Sequence, residues 1–337
     1  VDITLSCDSS YKIAILALIK SIAVASGDPD KVRVWAFGEN DDADRLEEMF
    51  EQHAYDIIYP RKNLRVMKYA RQKSLDEALG VDERPELKTT RNRKKLLQSA
   101  QGNWIRYFMP DLFNEMLPPE ERPKQFIYMD CDTLMLEDPR NLAYEVSKEM
   151  GVHSGICMGS AHRPSSHHTI WGKPKTLKAM GIPINQFHGL NAGILYIDNA
   201  CWIQSKAKER ILWWAGRNKT DNSYHRAGSQ APLYYTFYPS NTTLNDPLPG
   251  AERFPKPWPY IMFKAQWNIK SGRMSVINNA SIIHFAGSKK PWFIHASHTH
   301  KEVYRRYVTE DLLAEEYVKQ LVKWRERRHR EMLLDRE

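Results

Sequence analysis

The feature that most constrains this chain is an alternation of strand-like and helix-like segments over its first sixty residues. "DITLSCDSS" (2–10) is an apolar strand that turns polar at its end, and "YKIAILALIKSIAVASG" (11–27) is a helix apolar nearly all round, closed by Gly27. "KVRVWAFG" (31–38) predicts a second strand, "DADRLEEMFEQH" (42–53) an amphipathic helix and "YDIIYP" (55–60) a third strand. Strands and helices in this rhythm imply an α/β fold with a mostly parallel sheet covered on both faces. In such sheets ligands collect beyond the carboxyl ends of the strands, where Asp8 and Tyr11 fall.

Composition matters here only for what it excludes. At 42% hydrophobic over 337 residues the chain can fill a sizeable core, so it is globular rather than disordered. The net charge of +8 points weakly to an anionic partner, because the charge is uneven: much of it lies in 61–100 and in "KWRERRHR" (323–330). Residues 61–100 show little apolar periodicity and read as a basic insertion or loop. Tyr69 is the one aromatic among them, which argues against a nucleic-acid surface with interleaved aromatics, and no nucleic-acid partner is expected. Four cysteines, at 7, 131, 157 and 201, form no CxxC or Cys/His metal pattern; no disulfide framework is expected, and the redox compartment stays open. The apolar run Ile13–Ala25 contains Lys20 and is too short to span a bilayer. The chain starts at Val1, so a removed signal or anchor is an open expectation, with the basic C-terminal helix as the other route to a membrane. Sequons at Asn218, Asn241 and Asn279 tilt towards the secretory pathway, the Golgi lumen being expected and the cytoplasm the alternative.

Further along, "NWIRYFMPDLF" (103–113) predicts a helix and "KQFIYMDCD" (124–132) a strand. "GVHSGICMG" (151–159) and "NAGILYIDNACW" (191–202) read as two more strands, with helices over 205–218 and 229–237. "MSVINNASIIHFAG" (274–287) reads as a late strand. From 301 onward a charged helix carries apolar positions at Tyr304, Val308, Leu312, Tyr317, Leu321 and Trp324, a stripe expected to pack on its own domain. The expected organisation is a catalytic domain over 1–298 and a charged helical extension over 299–337. The sequence is silent on oligomeric state.

Within "FIYMDCDTLMLED" two acids, Asp130 and Asp132, follow the apolar run Phe126–Met129. Residues i and i+2 of a strand share a side, so just past the strand end both carboxylates can converge on one hard divalent cation, Mg²⁺ or Mn²⁺. Alone the pair reads more readily as a helix cap or a solvated turn. "HFAGSKKPW" (284–292) strengthens the metal reading: His284 offers a nitrogen ligand, Gly287 a close backbone approach to a phosphate, and Lys290 a point charge for a diphosphate.

Five segments in this order, "SCDSSY" (6–11), "NWIRYFMPDLF", "FIYMDCDTLML", "LNAGILYID" (190–198) and "HFAGSKKPW", resemble the retaining glycosyltransferases of family 8 over roughly residues 1–295. The resemblance implies a GT-A fold, with a mixed, mostly parallel central sheet flanked by helices. It also implies a UDP-sugar donor, Mn²⁺ (Mg²⁺ as the alternative) and a hydroxyl acceptor on a glycan, glycoprotein or lipid-linked sugar. Asp8 would hydrogen-bond the uracil and Tyr11 stack on it. Arg106 would reach the donor sugar or diphosphate, and Cys131 would lie with the residues lining the nucleotide. Asp130, Asp132 and His284 would hold the metal, Asp130 also standing near the sugar hydroxyls. Asn191 and Gly193 would line the sugar pocket, and Gly287 and Lys290 would bind the diphosphate.

One departure stands out. Many members carry an Asp-Gln pair in the helix after the "NAG" strand, whereas this chain has Ser229 and Gln230. Gln230 is a poor nucleophile. The expected chemistry is therefore same-face attack, with the Gln230 amide steadying the anomeric centre and a departing phosphate oxygen taking the acceptor proton. Two other readings remain: a catalytically silent nucleotide-sugar or glycan-binding homologue, suggested by Ser229, and a metal nuclease, suggested by the basic charge.

Overall fold

The strand-forming segments come in chain order as Asp2–Ser6 (β1), Arg33–Glu39 (β2), Leu64–Tyr69 (β3), Gln125–Met129 (β4), Thr133–Met135 (β5), Met158–Arg163 (β6), Gly189–Asp198 (β7), Ile261–Phe263 (β8), Gln266–Trp267 (β9) and Ile282–His284 (β10). The structure, a computed structural model, describes residues 1–79, 102–152, 156–163, 189–220, 229–237, 261–263, 266–267, 280–285, 290–296 and 298–334. Seven strands form one sheet in the order β3-β2-β1-β4-β7-β6-β8, and β5, β10 and β9 form a second, smaller one. In the large sheet β3, β2, β1 and β4 run parallel, β7 is antiparallel to both β4 and β6, and β8 is parallel to β6. The mixed, mostly parallel sheet is the expected one. Its first half places the ends of β1 and β4 side by side, and its single reversed strand brings the start of β7 to the same edge.

The helix Lys12–Ser26 (α1) is apolar all round because it is packed on two sides. Ile15, Leu16, Leu18, Ile19 and Ile22 lie in a cluster with Ile3, Leu5, Ile127 and Met129 of the sheet. Ile13, Ala14 and Ala17 lie in another with Leu134, Ile283, Phe285 and Trp292. Each fully buried Ile or Leu contributes about 1.5–3 kcal/mol of transfer free energy. Gly27 ends the helix in the left-handed region (φ 60°), its N–H bonding Val24 O. On the opposite face of the sheet, Trp35, Phe37, Phe126 and Tyr128 pack with Phe113, Trp202, Trp214 and Phe237. These come from the helices Met109–Met116, Asn199–Gln204, Ala207–Thr220 and Gln230–Phe237.

Several expectations are corrected. The third strand is β3, not 55–60. Tyr55 and Tyr59 make only an isolated bridge around a turn in which Asp56 has φ 57° and Ile57 is exposed. β3 falls inside the segment read as a basic insertion because its charged residues, Arg65 and Lys68, face solvent and pair with Glu121 and Asp44. The helix Lys73–Leu79 follows it, and residues 80–101 lie outside the described residues. Gly151 and Val152 end the helix Pro139–Val152, so the strand read over 151–159 starts only at Met158. The helix read over 103–113 is interrupted: residues 102–104 are helical, Ile105–Tyr107 form a 3-10 turn and Met109–Met116 a further helix. Asn199–Trp202, read as strand, begins a helix capped by the Asp198 side chain.

The cysteines carry the largest correction. All four pair: Cys7 with Cys131 and Cys157 with Cys201, at Cα–Cα distances of 6.2 and 5.1 Å, inside the range a disulfide spans. Pairing of neighbouring strands, not sequence spacing, brings them together. At the C-terminal end, His298–Tyr304 and Glu310–Leu334 are helical. Tyr304 and Val308 are buried in the α1 cluster, and the Tyr304 hydroxyl donates to Ile13 O at 3.0 Å. Leu321 is exposed, and the Trp324 side chain lies outside the described ones.

Candidate active site

The site forms where the polar ends of β1, β4 and β10 and the middle of β7 meet. Asp130 follows β4 directly, and its N–H donates to Gly193 O at 2.7 Å, continuing the β4–β7 ladder by one step. β5 starts one residue after Asp132 and pairs antiparallel with β10, setting Thr133 opposite His284. That short register carries a histidine from late in the chain to the acids: His284 Nε2 lies 3.1 Å from Asp132 Oδ1 and 3.9 Å from Asp130 Oδ2. Phe285 N–H donates to Asp132 O at 2.8 Å, and the Thr133 hydroxyl donates to Asp130 O at 2.6 Å, which fixes the turn between the acids.

Each carboxylate has its own cation. Arg106 is 3% exposed and donates through Nη1 to Asp130 Oδ1 at 3.2 Å. The same nitrogen also reaches Ala192 O, and Nε donates to Asn103 O at 2.6 Å. Arg106 therefore acts on Asp130 from behind; its donors are largely committed to protein oxygens. Burial works against its charge, yet Asp130 raises the guanidinium pKa further still. Lys290 binds Asp132 Oδ2 and donates to Phe285 O at 2.9 Å. Burial alone would raise the Asp132 pKa, but His284 and Lys290 outweigh it and hold the carboxyl well below the usual carboxylate range.

β7 contributes an irregularity. Ser160 of β6 faces Leu195, and the next residue, Ala161, faces Asn191, so residues 192–194 are left over on β7 as a bulge. The bulge is held from both sides: Ala192 O accepts from Arg106, and Ala192 N–H donates to Gln230 Oε1 at 3.4 Å. Asn191 is buried, and its Oδ1 accepts from Gly193 N–H. A Cβ on Gly193 would collide with Asp130 Oδ2, His284 Cε1 and Asn191 Oδ1, so only glycine fits here. Gln230 is the first residue of its helix, and the Tyr107 hydroxyl donates to the preceding Ser229 O at 2.8 Å.

At the end of β1, Asp8 caps a 3-10 turn, accepting from Ser10 N–H at 2.8 Å, and is exposed. Tyr11 is 44% exposed and stands edge-on to Trp292 at 6.3 Å. Burial raises its phenol pKa, with Asp132 and Asp8 adding to the effect, which places Tyr11 within electrostatic reach of both acids. The structure thus gathers Asp130, Asp132, Asn191, Gly193, Gln230, His284 and Lys290 with Arg106 behind them, and sets Asp8 and Tyr11 beside them; Cys131, expected to line the nucleotide, instead turns its side chain to Cys7 in the cluster under α1. Gly287 lies outside the described residues.

The donor set suits a dication. One oxygen or nitrogen from each of Asp130, Asp132 and His284 lies within 4.8 Å of the others. Ligands at right angles on bonds of about 2.1 Å stand about 3 Å apart, so the observed 3.1 and 3.9 Å separations need little adjustment around an ion. Two hard oxygens and one imidazole nitrogen fit Mn²⁺ or Mg²⁺ chemistry.

Two positions were missed in the sequence. The Tyr128 hydroxyl donates to Asp130 Oδ1 at 2.7 Å; its place two residues before Asp130, on the same strand face, was the available signal. Asp42, accepting from Ser9 N–H at 3.0 Å, anchors the Asp8 turn and gave no signal in its surface-helix context.

The sequence profile described as Glycosyl transferase family 8 matches residues 2–296. The chain belongs to glycosyl transferase family 8. Among curated relatives, a probable galacturonosyltransferase 9 of Arabidopsis thaliana is 21% identical over 215 residues, covering 62% of this chain and 33% of that protein. General stress protein A of Bacillus subtilis (strain 168) is 24% identical over 217 residues, covering 62% and 65%. The match thus spans a third to just under two thirds of those relatives. The galactosyltransferase LgtC, solved in complex with donor and acceptor sugar analogs, aligns over 92% of this chain and 98% of its own at TM-score 0.52 and 14% identity. Mouse xyloside xylosyltransferase 1 in its apo form aligns over 84% and 97% at TM-score 0.51 and 13% identity. At these identities the likeness shows the fold, which is GT-A.

Proposed function

We propose that this chain is a glycosyltransferase that moves a hexose or pentose from a UDP-sugar to a hydroxyl acceptor, with retention of anomeric configuration and with Mn²⁺ as its metal. The observation that carries the reading is the convergence of Asp130, Asp132 and His284 beside Lys290, next to the exposed pair Asp8 and Tyr11. Asp130, Asp132 and His284 would hold the ion, which when bound supplies Lewis-acid neutralisation of a diphosphate leaving group. The chain's own part is preorganised charge and position. Lys290 brings a further cation to the diphosphate side. Asp8 and Tyr11 offer a carboxylate and a ring to a nucleobase, and the bulge at 192–194 offers backbone and Asn191 to sugar hydroxyls.

A retaining reaction through a covalent intermediate needs a carboxylate on the far face of the sugar. At the matching place this chain has Ser229 and Gln230, whose side-chain oxygen already accepts from Ala192 N–H. Same-face attack therefore stays the favoured route, with Gln230 fixing the bulge as well as facing the reacting centre. Segments 162–174 and 245–268, whose Pro, His and Trp residues suit stacking on acceptor sugar rings, lie largely outside the described residues. Two disulfides favour an oxidising compartment such as the Golgi lumen over the cytosol.

The test is UDP release from a panel of UDP-sugars, with and without Mn²⁺. The expected result is metal-dependent release from at least one sugar, abolished by a chelator, with the donor's anomeric configuration kept in the transfer product. Release from none of them, or release indifferent to chelation, overturns the reading and favours the silent homologue.

A further inference from the structure

Cys131, between the two acids, and Cys7, one residue ahead of Asp8, have no part in the chemistry above. Strand register explains their meeting. β1 and β4 pair with Ile3 opposite Ile127, Thr4 opposite Tyr128 and Leu5 opposite Met129. Carried two steps past the last pair, the same register sets Cys7 opposite Cys131. The alternation of strand side chains turns both away from Asp130 and Asp132. Both lie with Leu5 and Met129 in the cluster under α1, Cys7 buried at 6% exposure and Cys131 partly buried at its rim. They form a disulfide with Cα atoms 6.2 Å apart.

The bridge sits where ladder hydrogen bonding between β1 and β4 has run out. Residues 131 and 132 are a turn, and residues 9–11 a 3-10 turn. What joins these two turns across the site is the covalent link. On one side it adjoins Asp8 and leads to Tyr11; on the other it adjoins Asp130 and Asp132.

We propose that the Cys7–Cys131 bridge is a positioning element of the donor site, which fixes the nucleobase-side turn against the metal-side turn, and that reducing it loosens both. This rests on the UDP-sugar reading. Reduction here is thiol–disulfide exchange with a dithiol: a reductant thiolate attacks one sulfur, forming a mixed disulfide. Its second thiol then displaces the protein sulfur, leaving Cys7 and Cys131 as thiols and the reductant as its own disulfide, two electrons having passed to the bridge. The second bridge, Cys157–Cys201, is a built-in control. It lies at the opposite end of the sheet, where Met158 faces Ile197 and Ile197 faces Phe126.

The experiment starts with native protein alkylated without reductant, digested and mapped by mass spectrometry. UDP binding at saturating Mn²⁺ is then measured by calorimetry before and after dithiothreitol. The same measurement is made on the Cys7→Ser/Cys131→Ser and Cys157→Ser/Cys201→Ser proteins. The expected map contains a Cys7–Cys131 cross-linked peptide, and verified reduction weakens UDP binding about 10-fold, as loss of supporting contacts around a metal site does. The Cys157→Ser/Cys201→Ser protein keeps both the affinity and the response. The Cys7→Ser/Cys131→Ser protein starts weak and does not respond; should it fail to fold, the response of the other variant carries the test. Alkylated, unbridged Cys7 and Cys131 in native protein, or an affinity that ignores verified reduction, overturns the proposal alone. Absence of UDP binding in the oxidised protein refutes the nucleotide reading, and the proposal with it.

Discussion

The phenol of Tyr128 donates to Asp130 Oδ1 at 2.7 Å, on the same oxygen that Arg106 Nη1 reaches at 3.2 Å, while Asp130 Oδ2 faces His284 Nε2 at 3.9 Å. The carboxylate is thus divided: one oxygen is tied to the core and the other is presented to the site. Tyr128 itself is fully buried, and burial pushes its phenol pKa well above the ordinary value, so it acts only as a donor.

Removing that donor should free Asp130 to rotate. Tyr128→Phe is expected to lose about 1.5–3 kcal/mol of stability, the range for a buried hydrogen bond to a charged group. Mn²⁺–UDP affinity should fall about 10-fold. Denaturant unfolding and calorimetry read the two effects separately.

Arg106 is the buried half of an ion pair whose other half, Asp130, is partly exposed. Breaking a buried pair from one side costs about 3–5 kcal/mol, and the solvent access of Asp130 reduces this to about 2–4 kcal/mol. Arg106→Gln should therefore lower the denaturation midpoint markedly. Arg106→Lys should fall short of full rescue, because one ammonium cannot serve Asp130, Ala192 O and Asn103 O together.

Gly193 has no room for a methyl group between Asp130, His284 and Asn191. Gly193→Ala should push the two metal-side groups apart, with a stability cost of about 1–3 kcal/mol. The proportionate loss in Mn²⁺–UDP binding should be larger than for any surface substitution. Equal Mn²⁺–UDP affinity in variant and parent would show that the bulge does not set the site's geometry.

Alkaline behaviour follows from the buried phenols. Tyr107 is pushed up to about 12 by burial, and burial likewise holds Tyr128 and Tyr304 well above the ordinary phenol value. A free phenol ionises near pH 10, so below that pH neither state differs and the full contribution is present. As pH rises from about 10 towards 12 the unfolded chain loses protons that the folded one keeps, and stability falls. Tyrosinate absorbance at these positions should appear together with loss of near-ultraviolet circular dichroism. Ionisation of all tyrosines near pH 10 in folded protein would contradict this.

Much of the site was legible in the sequence because it obeys local rules. Asp130 and Asp132 share a strand face by the two-residue period, and His284 closes an apolar run that could only be a strand. The cysteine pairs were not legible, since Cys7 and Cys131 meet only through the β1–β4 register, which the sequence does not display. β3 hid because an outer strand carries solvent-facing charges such as Arg65 and Lys68, a pattern that blunts an edge but resembles a loop. The segment 55–60 misled in the opposite way. Tyr59 is apolar and buried, but its hydroxyl bonds Val32 O from a turn, not from a strand.

The central claim is that Asp130, Asp132 and His284 together hold one divalent cation on the nucleotide side of the sheet. Calorimetric titration of Mn²⁺ into protein saturated with UDP tests it most directly, compared with Asp132→Asn and His284→Ala proteins whose folding has been verified. The account predicts one Mn²⁺ per chain in the parent and at least about 10-fold weaker binding in each variant. Mn²⁺ binding of equal strength in all three proteins would contradict it.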